Sequence, residues 1–255
     1  MNRIMKYGSL VILAAIIACC SWAHQNMNAE VVDQTIERIG SSLIYNDYWK
    51  MILGGLKVTV TICFFGIIMA FVIAILMSWM NRNRYLKYVS EPLTYFIKTI
   101  HDVPSIVLIF FFYYVVFSAV QVGGIFVCIV ALGVYTSGSY IKVIGIGLSQ
   151  VDPNQHYAAQ MLGLSGWKKY RYVILPQAIK PMVPLFAAES KVLLRATTYA
   201  GYISQMDLVK VTEMIRKETY DMLVPLVFVS IVFLILSKLI VVSLDTIYKT
   251  VFNYD

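Results

Sequence analysis

Charge is what this sequence has least of. Of its 255 residues only 14% are Asp, Glu, Lys or Arg, while 59% are hydrophobic. Mean hydropathy is +0.72. A soluble globular domain carries about 25% charged residues, so this shortage excludes an ordinary water-soluble fold and points to an integral membrane protein. Cysteine is scarce as well. Cys19, Cys20, Cys63 and Cys128 all lie in apolar stretches, without the paired spacing of a metal site. For Cys63 and Cys128 that is the pattern of buried structural thiols. The histidines, His24, His101 and His156, are scattered, and neither an HExxH stretch, a GxxxxGK[ST] phosphate loop nor a nucleophile elbow occurs. The chain is therefore not expected to hold a metal, to hydrolyse ATP by itself or to be an enzyme. Its formal net charge of +7 sits in short basic clusters between apolar runs. A nucleic-acid partner would want a basic stripe interleaved with exposed aromatics on a soluble module, so none is expected.

What the sequence has in abundance is long apolar runs. In residues 1–23, Arg3 and Lys6 precede SLVILAAIIACC, which fits a signal peptide with Ser21 and Ala23 before a cut. IIAC, ending at Cys19, loosely resembles a lipoprotein cleavage box, and an uncleaved anchor fits the same run. Residues 1–50 thus read as a signal or anchor followed by a mixed polar, extracytoplasmic stretch, and residues 51–255 as the membrane domain. Within it, spans are expected at about 54–80, 88–119, 125–148, 182–205 and 225–245. The second is broken near Pro104, and Gly133 with Ser137 gives the third a small-residue face for close packing. The fold class is all-α and polytopic: five core transmembrane helices plus the N-terminal hydrophobic segment.

Lysine and arginine orient these spans. NRNRYLK, with Arg82, Arg84 and Lys87, reads as cytoplasmic, QVGG as extracytoplasmic, and the segment holding Lys168, Lys169, Arg171 and Lys180 as cytoplasmic again. Lys249 places the C-terminus inside. The link with Lys210, Arg216 and Lys217 falls outside, its charge diluted by Asp207, Glu213, Glu218 and Asp221.

Residues 149–181 interrupt this apolar pattern. Asp152 and Pro153 read as an N-cap and a first-turn proline, and NQHYAAQML ends at Gly163. Ser165 is placed to cap a second helix, GWKKYRYVIL, that Pro176 stops. Two short helices meeting at a glycine make an elbow. Its aromatic and basic residues suit either a protein interface or an amphipathic helix lying on anionic membrane lipid.

YAAQMLGLSGWKKYRYVILPQA closely resembles the cytoplasmic loop of ABC-importer permeases, whose pattern is E-A-A, three residues, G, then L-P about a dozen residues later. The polar-amino-acid uptake permeases are the most similar. Ala158, Ala159, Leu162, Gly163, Leu164, Ser165, Tyr170, Val173, Leu175, Pro176, Gln177 and Ala178 stand in matching places. Similarity runs from GGLKVTVTI near residue 54 to the C-terminus and includes Pro104 and LLRATTYA. The resemblance implies an inner-membrane permease subunit whose loop docks on a cytoplasmic ABC ATPase dimer, through Tyr157, Ala158, Ala159, Gly163, Leu164, Ser165, Leu175 and Pro176. It further implies a second permease, identical or related, and an extracytoplasmic solute-binding protein. ATP and magnesium belong to the ATPase subunits, with no cofactor on this chain.

Departures from the family pattern bear on the solute. Tyr157 stands where the loop's glutamate is expected, and His101 where arginine precedes the proline. Leu108 replaces a glutamine, Val143 and Ile146 replace a glutamate and an arginine, and Ala196 replaces an aspartate beside Arg195. These lost polar groups open a second reading, a homologue that has given up transport for a regulatory or sensory role. The residues expected to line the translocation path are His101 and Asp102 at the broken helix, with Arg195, Thr197 and Thr198. The two threonines equally fit side chains bonded to their own helix backbone.

Overall fold

The computed structural model describes residues 47–252 apart from 121 and 222; the signal or anchor segment and most of the polar stretch after it lie outside the described residues. The first helix, α1 (Tyr48–Arg82), extends the expected 54–80 span at both ends. It is apolar around its whole circumference, as a lipid-exposed helix must be. It stops at Asn83, whose backbone is extended. Two helices follow, α2 (Lys87–Ile100) and α3 (Ser105–Phe111), the latter running into a π-helical turn over Phe112–Val116.

Pro104 is why α2 and α3 are separate. It carries no N–H, and its carbonyl takes up the Val107 and Leu108 amides, so it starts a new helix rather than continuing the old one. The Asp102 and Val103 amides close turns onto Thr99 and Ile100. The corner is thereby satisfied, as backbone at membrane depth requires. The break expected from sequence is sharp: the two pieces are bent by 114°.

The long helix α4 (Gly124–Ser149) is the centre of the bundle, packed along α1 on one side and α7 on another. Small residues allow this. A side chain at Gly133 would come within 2.9 Å of Met69 on α1, and one at Gly66 within 3.3 Å of Leu193. The elbow comprises α5 (Asn154–Met161) and α6 (Gly166–Lys169), then a π-helical turn over Tyr170–Ile174. This turn runs directly into α7 (Leu175–Ala196), with Pro176 in the first turn of the new helix. Pro176 thus begins a helix instead of ending one, because a proline in a first turn forfeits no hydrogen bond. A 3-10 stretch, Thr197–Ile203, leads to α8 (Leu208–Thr219) and the last helix, α9 (Leu223–Phe252).

Among the described residues, α1, α4 and α9 are long and apolar enough to cross a membrane, and α2 with α3 makes a fourth crossing if the bent pair counts as one. The sequence reading of 182–205 as a further span falls on α7, which carries Lys180, Glu189, Lys191 and Arg195 and so is not among the helices that pass by length and composition. The core forms three layers along the bundle. Nearest the elbow lie Met77, Tyr140, Ile174, Met182 and Phe186. Ile62, Ile109, Leu132, Leu193 and Leu194 fill the middle. Tyr48, Ile52, Leu208, Val211 and Ile215 close the far end, where α8 covers α1.

One buried polar pair crosses the elbow-side layer. Tyr140 Oη lies 2.6 Å from Ser190 Oγ, and Ser190 itself donates to the Phe186 carbonyl at 2.7 Å. The tyrosine is therefore the donor and Ser190 its acceptor. Ser190→Ala strands a buried hydroxyl, whereas Tyr140→Phe leaves Ser190 bonded to Phe186. The serine variant is expected to lose about 1–3 kcal/mol and the phenylalanine variant less than about 1 kcal/mol, read as detergent-phase melting shifts.

Candidate functional site

Gly163 shapes the elbow. Its φ is +73°, the Leu164 amide reaches back to the Ala159 carbonyl at 3.0 Å, and its own amide bonds to Gln160 at 2.9 Å. This is the left-handed close of a helix that glycine makes without strain. Ser165 is extended and makes no side-chain cap to α6, unlike the capping role read from sequence. Asp152 does serve the start of the elbow, accepting from the Asn154 amide at 2.8 Å. Across the elbow Gln177 Nε2 donates to Gln155 Oε1 at 3.2 Å.

Of the elbow residues singled out by sequence, Ala159 is buried, Leu164, Leu175 and Pro176 are partly buried, and Tyr157, Ala158, Gly163 and Ser165 are exposed. Beside them Met161 is 90% exposed and Leu162 77% exposed. Two large apolar side chains next to Gly163 thus form a bare tip, with Trp167 and Tyr172 also outward. Contiguous apolar exposure marks an interaction surface.

The second site lies at the α2–α3 corner. His101 Nε2 is 2.8 Å from Ser139 Oγ and Nδ1 is 3.2 Å from the Tyr135 carbonyl. A proton on Nδ1 donated to that carbonyl, with Nε2 accepting from Ser139, satisfies both contacts. Asp102 meets Lys142 at 3.8 Å, an exposed pair. The Tyr135 carbonyl, Ser139 and Lys142, spaced four and three residues apart on α4, turn one polar face of that helix to the corner. Arg195 is exposed, with no ion pair among the described residues. Thr197 and Thr198 donate to the carbonyls of Leu194 and Arg195, at 2.7 and 2.8 Å, the backbone-bonded alternative. Thr197 is fully buried, while Thr198 is partly open.

Thr198 borders a cleft of about 580 Å³ that sequence reasoning missed, shared with Tyr202, Asp207, Lys210 and Glu213. Asp207, fully buried, caps α8 by accepting from the Val209 and Lys210 amides at 3.1 and 3.3 Å. The signal was present: an aspartate directly before the apolar-periodic run of Leu208–Thr219. The neighbouring Leu208 amide donates to Thr59 on α1 at 3.1 Å. Lys217 at 2.8 Å, with Lys210 beside it, holds the Glu213 carboxyl below the usual range.

Asp207 lies in the link read from sequence as extracytoplasmic, past the end of α7 and directly before α8. Burial pushes its carboxyl up to about 6, against the pull of the two amides and of Lys210. The sign follows: between pH 4 and 6 the folded state holds a proton that the unfolded state has released, so the contribution to stability is greatest at low pH and is lost as pH rises through about 6. Asp207→Asn retains a capping oxygen. It is expected to abolish that slope and to raise stability at pH 7 by roughly 3 kcal/mol at most, in melting curves recorded across the window.

The chain matches the family described as binding-protein-dependent transport system inner membrane component over residues 34–251. It belongs to that family. The permease is 29% identical over 193 residues to the probable amino-acid ABC transporter permease protein y4tG of Sinorhizobium fredii, covering 73% of this chain and 81% of that one. It is 26% identical over 168 residues to the probable glutamine ABC transporter permease protein GlnP of Bacillus subtilis, covering 66% and 77%. In fold it is similar to a solved amino acid ABC transporter, with a TM-score of 0.68 at 23% identity over 80% of this chain and 95% of that one. The MetNI methionine ABC transporter gives 0.62 at 18% identity over 82% and 99%. Members of this family are multi-pass membrane permeases and not enzymes, the energy for transport coming from a separate ATPase.

Proposed function

We propose that this permease is the transmembrane subunit of an ATP-driven importer for amino acids or similar small polar solutes, and that its elbow docks on a cytoplasmic ABC ATPase dimer. The observation that carries the docking is the bare apolar tip of Met161 and Leu162 beside Gly163. Nothing else among the described residues covers it, and the sequence around it resembles the family's loop. The elbow and the C-terminus then face the cytoplasm. The names of the relatives favour amino acids as solute.

The translocation path in this reading runs along the polar face of α4, past His101 and Asp102 and on toward Arg195 and Thr198. An arginine at membrane depth with no counterion among the described residues is costly against lipid and favours a cavity or a second permease. Thr197, buried and bonded to its own helix, supports that wall from behind. A second permease, identical or related, closes the path, and an extracytoplasmic binding protein delivers the solute.

Purification from membranes in mild detergent, mass spectrometry of what accompanies the chain, and ATPase assays with added amino acids test this. A co-purifying ABC ATPase stimulated by an amino acid is the expected result. An intact chain with no ATPase partner overturns it.

A further inference from the structure

The first helix ends against the elbow. Arg82, the last residue of α1, places its guanidinium carbon 4.6 Å from the centre of the Tyr170 ring. Trp167 stacks on the same ring, with centroids 5.8 Å apart and planes inclined by 27°. One residue earlier, Asn81 Nδ2 donates to Thr94 Oγ1 of α2 at 2.9 Å. Consecutive residues thus tie the last turn of α1 to α2 and to the elbow. Tyr170 and Met80 of α1 also pack against the same elbow-side core layer.

Topology gives this contact its consequence. Residues 149–181 are continuous in the chain with α4 and α7, so any movement of the elbow is passed to those helices through covalent bonds. α1 has no such connection and moves with the elbow only through side chains. Tyr170 is also the residue at which the helical path changes to a π turn, a local register change often found at functional positions. The polar contacts made by Asp152 and between Gln155 and Gln177 stay within the elbow and the start of α7. The sequence reading assigned Arg82 only to topology, together with Arg84 and Lys87. Arg84 is exposed and makes no such stack among the described residues.

We propose that Arg82, Tyr170 and Trp167 form a cation–aromatic brace that transmits movement of the elbow to α1, making Arg82 and Tyr170 positioning residues for coupling. The proposal rests on the elbow being the ATPase-docking element. A cation over a ring survives Tyr170→Phe, weakens with Arg82→Lys, and is lost with Tyr170→Leu or Arg82→Gln. Arg84→Gln removes a like charge two residues further on without touching the stack.

Two readouts separate the brace from the docking. The first is the rate of tryptic cleavage after Lys169 in the full-length detergent-solubilised chain, with fragments assigned by mass; it needs no ATPase. Arg82→Gln and Tyr170→Leu are expected to speed it about 2–5-fold, with Tyr170→Phe and Arg84→Gln near the parent rate. The second is solute taken up per ATP hydrolysed by the assembled transporter. It is expected to fall at least about threefold in Arg82→Gln and Tyr170→Leu, with ATPase co-purification unchanged. Arg82→Gln removes no core packing, so it remains decisive if Tyr170→Leu folds poorly. Unchanged cleavage in Arg82→Gln, equal damage from Tyr170→Phe and Tyr170→Leu, or an Arg84→Gln effect as large as that of Arg82→Gln overturns the brace. Faster cleavage with unchanged uptake per ATP overturns its role in transmission. Should the parent chain carry no ATPase, the docking reading falls while the cleavage series still decides whether the brace exists.

Discussion

Gly163→Val is expected to lower solute uptake by about 5–30-fold while leaving the amount of folded permease unchanged. Two observations separate these effects. A side chain at Gly163 would meet nothing within 4 Å, so valine disturbs no packing inside the chain. The backbone, however, sits at φ +73°, where a residue with a Cβ pays about 1–2 kcal/mol and a β-branched one more. That strain is relieved by opening the end of α5, and the Met161–Leu162 tip moves with it. The open space that makes valine harmless to the monomer is also the space the proposed ATPase groove occupies. Asparagine tolerates the left-handed region, so Gly163→Asn should stay within about threefold of the parent. Uptake into proteoliposomes, with size-exclusion profiles of the same samples, checks both. Equal loss from asparagine and valine would assign the effect to bulk at the interface rather than to backbone shape.

The sequence announced the helices more clearly than their ends or their bends. α1, α4 and α9 were legible because long apolar runs have one physical meaning in a chain so poor in charge. The helix break at Pro104 was legible because proline removes a donor, but its 114° angle was not, since that depends on how the corner seats against Ser139 and Tyr135. Pro176 was misread as a stop because the same residue suits the turn after a helix and the first turn of the next. Only the continuity of the π turn with α7 distinguishes them. Gly163 was found correctly, since a left-handed helix close is a local requirement written in one residue. Asp207 was passed over as one of several acids diluting a basic link, although its capping position was visible. The Arg82–Tyr170 stack could not be read at all: 88 positions (170 minus 82) separate its members, and no local pattern encodes their meeting.

Gly138→Val is expected to abolish well-folded permease, with Gly138→Ala intermediate. Gly138 lies on α4 where it passes the end of α2, and a Cβ there would stand 2.8 Å from the Ile97 carbonyl oxygen and 3.0 Å from His101 Cβ. The first of these is main chain inside a helix and cannot turn aside as a flexible side chain would. Alanine therefore forces α2 and α4 apart by several tenths of an ångström, at an overpacking cost of about 1–3 kcal/mol, and the further methyls of valine exceed that. Separation at this point also lengthens the His101–Ser139 contact and moves the corner away from the polar face of α4. Gly145 supplies the control on the same helix, because a Cβ there meets nothing within 4 Å. Gly145→Ala should be neutral or raise stability by about 0.5–1 kcal/mol through its helix propensity. Fluorescence-detected size exclusion and melting in detergent read all three variants, and solute uptake reads the alanine pair. A folded, active Gly138→Val protein would mean that α2 and α4 do not approach as closely as this packing requires.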